Sequence, residues 1–292
     1  MQKKKLIPSI FDPIFKAILT DKKLKDYLSY LISEITDLDY DYVYDNLSIV
    51  NGELQIEYWN QKLYRTDLLI EIEKNKINIE ANREKSEGNI IKNEKYHHKL
   101  ASDTKTGNSY ESTKIYQINF NEYNRFKKKS NIVDKVMLVN IDTGEIEEEE
   151  YQRYHINLAK LKKKYYNKEK LTLFERRCLI LVLTNEEEIK EIIKQDEMME
   201  RVFDKMKELN ENKNIMDLWD EEKEKERARN YDMKIAKEKA EKKGFESGEK
   251  KGMQQGLKQG LEQTAHNMKK ENIALDVIQK VTGLNIEKIE RL

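Results

Sequence analysis

Between Arg65 and Glu84 the chain reads RTDLLIEIEKNKINIEANRE, and two runs of alternating character meet head to head within it. Leu68, Ile70 and Ile72 alternate with Asp67, Glu71 and Glu73; Ile77, Ile79 and Ala81 then alternate with Asn78, Glu80 and Asn82. A period of two permits little except a pair of strands, each with one apolar face, joined as a hairpin. With the turn at Lys74-Asn75, Asp67 falls opposite Asn82 and diagonal to Glu80, roughly 7–8 Å away, a gap that acidic side chains can close onto one ion. A one-residue slip would carry the acids into the core.

Two carboxylates and an amide, with no histidine or thiol, form an oxygen donor set of the kind that selects Mg²⁺ or Mn²⁺. Such ions keep several waters and favour phosphate oxygens, which points to phosphodiester cleavage. The same pattern also describes a hairpin whose charged face is simply solvated, because 55 of the 292 residues are acidic and such spacings then arise by chance.

Apolar and charged residues each make up 38% of the chain, too polar for one large globule, so a globular N-terminal part and an exposed helical C-terminal part are expected. Lysine plus arginine equals aspartate plus glutamate at 55 each, so any nucleic-acid surface has to be local. The single cysteine, Cys178, rules out a disulfide framework and fits a reducing cytoplasm; within CLILVLT it reads as a buried, inert thiol. No apolar run approaches eighteen residues and MQKKKLIPS lacks a signal-type apolar segment, so no membrane partner is expected.

Residues 9–35 carry apolar residues at helical spacing, with Asp12 as N-cap and Pro13 at the first helical position. Asn46 to Tyr58 reads as a strand broken by the turn Asn51-Gly52. A helix follows Asn82, with Gly88 weakening its start and Lys92, Tyr96 and Lys99 sharing one face. STKIYQINF, DKVMLVNID and YHINLAKL are candidate strands, the second turning at Thr143-Gly144 into the acidic run Glu145 to Glu150. Helices and strands thus alternate over the first ~165 residues, the pattern of an α/β or α+β domain. Beyond Leu171 the pattern is helical and charged, with LFERRCLILVL and EEIKEIIKQDEMMERVFDKMKEL the clearest segments.

Gly244, Gly248, Gly252, Gly256 and Gly260 recur every fourth residue in an otherwise helix-favouring stretch. Each costs a helix about 1 kcal/mol relative to alanine, which leaves two readings: a close homotypic contact, hence a homo-oligomer, or a polar linker. NIALDVIQKVTGLNIEKIERL predicts two short helices about Thr282-Gly283; the acidic second one argues against a reader of the DNA major groove. The expected divisions are therefore 1–170, 171–230, 231–271 and 272–292: a nuclease-like domain, a helical extension, the glycine-every-four helix or linker, and a helical hairpin.

Taken together, Asp12-Pro13-Ile14-Phe15-Lys16, Asp67, Ile79-Glu80-x-Asn82, Tyr96, Gly107, Tyr110, the strand KIYQINF, the glycine tail and VTGLNIEKIERL occur in an order that resembles the Rpn recombination-promoting nucleases, also called PD-(D/E)XK nuclease family transposases. The resemblance implies a restriction-endonuclease-like α/β fold, a mixed central sheet flanked by helices, and a Mg²⁺-dependent endonuclease acting on double-stranded DNA and promoting recombination. It makes Asp67 and Glu80 metal ligands and Asn82 the third catalytic residue, with Asp12, Lys16, Lys92 and Tyr96 as accessory positions. At Asn82 the chain departs from the pattern, since the superfamily places lysine there and the Rpn group usually glutamine. An amide can orient water but cannot supply charge, so Lys92, Lys95 or Lys99 on the next helix would have to, or the metal alone. Failing these, the site is degenerate and the helical C-terminal half acts by self-association or partner binding.

Overall fold

The computed structural model describes residues 5–50, 53–54, 64–102, 113–126, 128 and 130–292. Gly107, Tyr110 and the turn Asn51-Gly52 lie outside them. The chain divides into two compact units, Met1–Asp220 and Glu221–Leu292.

In the first unit, helices α1 (Asp12–Leu19), α2 (Lys25–Thr36) and α3 (Tyr40–Asn46) precede strands β1 (Leu47–Val50), β2 (Glu53–Leu54), β3 (Tyr64–Arg65), β4 (Leu68–Ile72) and β5 (Asn75–Asn82). Helix α4 (Glu87–Ser102) leads to β6 (Ile115–Asn121), β7 (Val133–Val139) and β8 (Ile146–Asn157), and α5 (Leu158–Tyr166), α6 (Leu173–Leu179), α7 (Glu186–Ile193) and α8 (Glu197–Glu211) follow. Six strands form one mixed sheet in the order β1-β4-β5-β6-β8-β7, with β5, β6 and β8 parallel and the remaining pairs antiparallel. The run YHINLAKL is therefore not one strand. Asn157 ends β8 and its side chain accepts from the Lys160 backbone, capping α5 instead.

One face of the sheet is apolar. Ile70, Ile77, Ile79, Ile118, Phe120 and Ile156 bury against α1 and α2, in a core that also takes Cys178 to Leu183, Ile189, Val202 and Met206. Helices α6 to α8 thus share the core of the sheet, within the unit that ends at Asp220. The thiol of Cys178 is fully buried and its pKa is pushed well up by that burial.

The other face is of a different kind. Along β5 it carries Asn78, Glu80 and Asn82; along β6, Gln117, Asn119 and Asn121; along β8, Arg153, His155 and Asn157, all lined up by cross-strand register. The amides among them and Glu80 are nonetheless buried. The small apolar cluster Leu69, Leu100 and Ile115 shares this face.

Helix α9 (Lys213–Lys270) runs from the first unit into the second, and all five glycines of the repeat lie within it, exposed. In the second unit α10 (Leu275–Thr282) ends at Gly283, whose φ of +70° suits a residue without Cβ. Its Ile278 packs with Ala265 and with Ile289 of α11 (Ile286–Arg291). No helix among the described residues is long and apolar enough to cross a membrane.

Candidate active site

The hairpin turn is Glu73-Lys74, one residue earlier than the expected Lys74-Asn75, and Ile72 pairs with Asn75. Leu68 pairs with Ile79, so continuing the ladder by one residue sets Asp67 directly opposite Glu80, not opposite Asn82. Both registers keep the same residues on the same face, so alternation could not choose between them. The turn chooses: Glu73 adopts φ +51° and its carboxylate accepts a hydrogen bond from the Tyr42 hydroxyl at 2.9 Å.

Asp67 Oδ2 accepts from the Ala81 backbone N–H at 2.8 Å, which fixes the aspartate beside the opposing strand. Glu80 is 1% exposed and Oε1 accepts from Asn78 Nδ2 at 3.2 Å. Burial, and then the charge of Asp67, raises the Glu80 pKa to about 8. Burial also raises that of Asp67, helped by the charge of Asp12.

Two lysines stand close without full contact. Lys16 Nζ lies 2.8 Å from Asp12 Oδ1 and 3.6 Å from Asp67 Oδ1, joining α1 to the hairpin. Asp12 is therefore not the helix cap that its position suggests: Phe11 precedes α1, no side chain caps it, and the Asp12 carboxylate turns to Lys16. Lys92 Nζ sits 3.9 Å from Glu80 Oε2 and 4.9 Å from the centre of the Tyr96 ring. Of the three lysines considered on α4 it is the one placed near Glu80, while Lys95 is exposed.

Asn82 is held from above. Asn93 Nδ2 donates to Asn82 Oδ1 at 3.0 Å and to Asn119 Oδ1 at 3.2 Å, while Gln117 Nε2 donates to the Asn93 carbonyl at 2.8 Å. The buried Asn82 Nδ2 is left without a partner among the described residues, as is Asn78 Oδ1. The inward face of α4 is Asn93, Tyr96, His97 and Leu100, with Lys92 at its border, so of the expected face Lys92, Tyr96 and Lys99 only Tyr96 is buried. His97 is buried and His98 exposed, in keeping with two rings on different sides of the helix.

Asn93, Gln117 and Asn119 are the residues that sequence reasoning passed over. The signal was present in β6, where Gln117, Asn119 and Asn121 alternate with Tyr116, Ile118 and Phe120, giving amides the parity usually held by solvent-facing residues.

The donor set fits a hard divalent cation. Two carboxylates stand on opposed strand positions, Glu80 nearly shut off from water and Asp67 half-buried, both with raised pKa, and the lysine nitrogens stay 3.6 and 3.9 Å away, too far for close charge-assisted hydrogen bonds. No group of three or more histidine, cysteine, aspartate or glutamate side chains among the described residues could hold a metal, so remaining ligands would be water or substrate. The sequence model of the PD-(D/E)XK nuclease family transposases matches residues 9–240. The chain belongs to that family. Among curated proteins and among solved structures no match to it was found. The match takes in the sheet, α4 and the helices of the first unit, and the mixed sheet flanked by helices is the architecture the resemblance implies. PD-(D/E)XK nucleases generally use divalent metals, in accord with the oxygen donors found here.

Proposed function

We propose that the chain is a metal-dependent DNA endonuclease that hydrolyses phosphodiester bonds with low sequence specificity and thereby promotes recombination. The observation that carries this reading is the pairing of Asp67 with Glu80 across the hairpin, a half-buried and a fully buried carboxylate whose ionisation is disfavoured, Glu80 by burial and then Asp67, and Asp67 by burial and then Asp12, unless a cation joins them. Asp67 and Glu80 would hold Mg²⁺ or Mn²⁺, which when bound supplies charge to the phosphoryl oxygens and lowers the pKa of a bound water.

The chain's own groups have separate tasks. Asn82, with Oδ1 tied to Asn93, keeps Nδ2 free to donate to the attacking water or to a phosphate oxygen. Lys92, between Glu80 and the Tyr96 ring, supplies the positive charge that an amide at position 82 lacks. Lys16 favours ionised Asp67 and is itself steadied by Asp12.

Plasmid cleavage with Mg²⁺ or Mn²⁺ tests this. Asp67→Ala and Glu80→Ala should each lower cleavage by at least roughly 100-fold, more than loss of an outer partner costs. Cutting that survives both substitutions would sink the assigned site.

A second role, self-association through α9, is favoured by the glycine repeat. Among the described residues a Cβ built on any of the five meets nothing within 4 Å, and Phe245, Met253 and Leu257 beside them are exposed.

A further inference from the structure

Beyond Asn93 the polar face of the sheet continues into a notch that the hydrolytic reading does not use. Asn93, Glu94, Asn121, Arg125, Arg153 and His155 line it, and its volume of about 20 Å³ admits one water-sized group. A nucleobase does not fit such a space, but a single phosphate oxygen does.

The notch has a surplus of positive charge. Arg125 Nη2 and Arg153 Nη1 share one carboxylate oxygen, Glu94 Oε1, at 3.4 and 3.9 Å. Both separations are long for a charge-assisted hydrogen bond, and two guanidiniums bring ten N–H donors between them. Arg125 is positioned from behind, since Lys85 Nζ donates to the carbonyls of Asn124 and Arg125 at 2.8 and 3.2 Å. His155 adds no charge near neutral pH. Burial, then Arg125 and Arg153, push its pKa down to about 4 against the pull of Asp134. Burial and Arg153 push His97 the same way, also to about 4.

The notch also lies at a useful distance from the carboxylates. Glu80, Asn119 and His155 are successive cross-strand partners, so two strand spacings, roughly 10 Å, separate the two places. That is roughly one to two phosphate-to-phosphate spacings along a nucleic-acid strand. Asn93 belongs to both, bonding Asn82 on one side and lining the notch on the other, where its Oδ1 has no partner among the described residues.

We propose that this notch is a second phosphate subsite, where Arg125 and Arg153 grip an oxygen of a phosphodiester flanking the one to be cut and Glu94 is the internal anion that the phosphate displaces. The inference rests on the nuclease reading above and names part of how that site takes DNA. Its sharpest consequence is a gain: removing the charge of Glu94 should tighten binding.

The test is anisotropy titration of a short labelled DNA duplex with the full chain in EDTA, over salt from about 50 to 200 mM. Arg125→Gln and Arg153→Gln should each weaken binding by roughly 5–10-fold and reduce the salt slope by about 1. Glu94→Gln should tighten it by roughly 3–10-fold, a change that misfolding cannot produce. Unmoved affinities and slopes in both arginine variants, or a Glu94→Gln chain that binds no tighter, would overturn the subsite. Wild-type chain that cuts DNA with Mg²⁺ while the slopes stay put removes the subsite alone, whereas failure of wild type to bind or cut duplex DNA removes both readings.

Discussion

Glu80 is an acid placed where water can scarcely reach it, and that placement costs stability in a way pH can read. In the folded chain its pKa is raised from 4.5 to about 8, burial acting first and Asp67 second. Between those values the folded chain keeps a proton that the unfolded chain has lost, so the contribution to stability is full below pH 4.5 and is lost as pH rises through about 8. In EDTA, wild type should therefore melt at a lower temperature at pH 8 than at pH 6, and Glu80→Gln should remove that part of the slope, on the order of 2 kcal/mol between the two pH values. Equal pH dependence in the two chains would mean that the carboxyl is not held as described. Divalent cation should reverse the effect, releasing protons on binding, with cleavage rising toward pH 8. Asn82 carries a different kind of test. Its Nδ2 is a preorganised donor with Oδ1 fixed by Asn93, so Asn82→Ala should lower kcat by roughly 100-fold with little change in KM. A loss confined to KM would place Asn82 in substrate binding instead.

Two helices of the first unit are held by opposite means. Helix α2 buries Tyr27, Leu28, Leu31, Ile32 and Ile35 in the main core, whereas α4 turns Asn93 and His97 to the sheet and keeps Tyr96 and Leu100 as its buried apolar anchors. Polar contacts contribute about 1 kcal/mol each, against roughly 1.5–3 kcal/mol for a buried apolar side chain, so α4 opens locally at lower free energy. Amide exchange should reach residues 87–102 well before 25–36; equal protection of the two would refute this. A helix that yields also suits Lys92 and Glu94, which must meet a ligand as bulky as DNA. The same contrast explains what could be read from the chain. Alternation in RTDLLIEIEK and INIEAN gave the two strands, and the faces of Asp67, Glu80 and Asn82, because one face packs on an apolar core. It gave no hint of turn position, since shifting the turn by one residue leaves those faces unchanged. The buried amide ladder stayed hidden because Asn and Gln on a strand ordinarily mean solvent, and only the lid of α4 makes them interior. Asp12 was misread as a cap because its partner, Lys16, also answers to a residue far along the chain.

At the scale of the whole molecule, the glycines of α9 are the feature the hydrolytic site does not require. Five glycines in one helix forgo roughly 5 kcal/mol of helix stability relative to alanine, and among the described residues nothing approaches close enough to need the missing Cβ atoms. Room for a second backbone is the use that offsets such a cost, and the exposed Phe245, Met253 and Leu257 would supply apolar area beside it. The repeat of four outruns the 3.6 residues of a helical turn by about 40° per step, so a partner helix crosses the stripe and meets only two or three glycines. Filling the gap at adjacent positions should then separate the copies without touching the nuclease site. The full chain is expected at a multiple of 34.9 kDa by light scattering, and the double variant Gly252→Leu with Gly256→Leu at 34.9 kDa. Helix content should hold or rise in the variant, because leucine favours helix over glycine, which separates lost association from lost folding. Wild type already at 34.9 kDa, or a variant that keeps the wild-type mass, would leave the stripe without a partner and return it to the role of a polar helix.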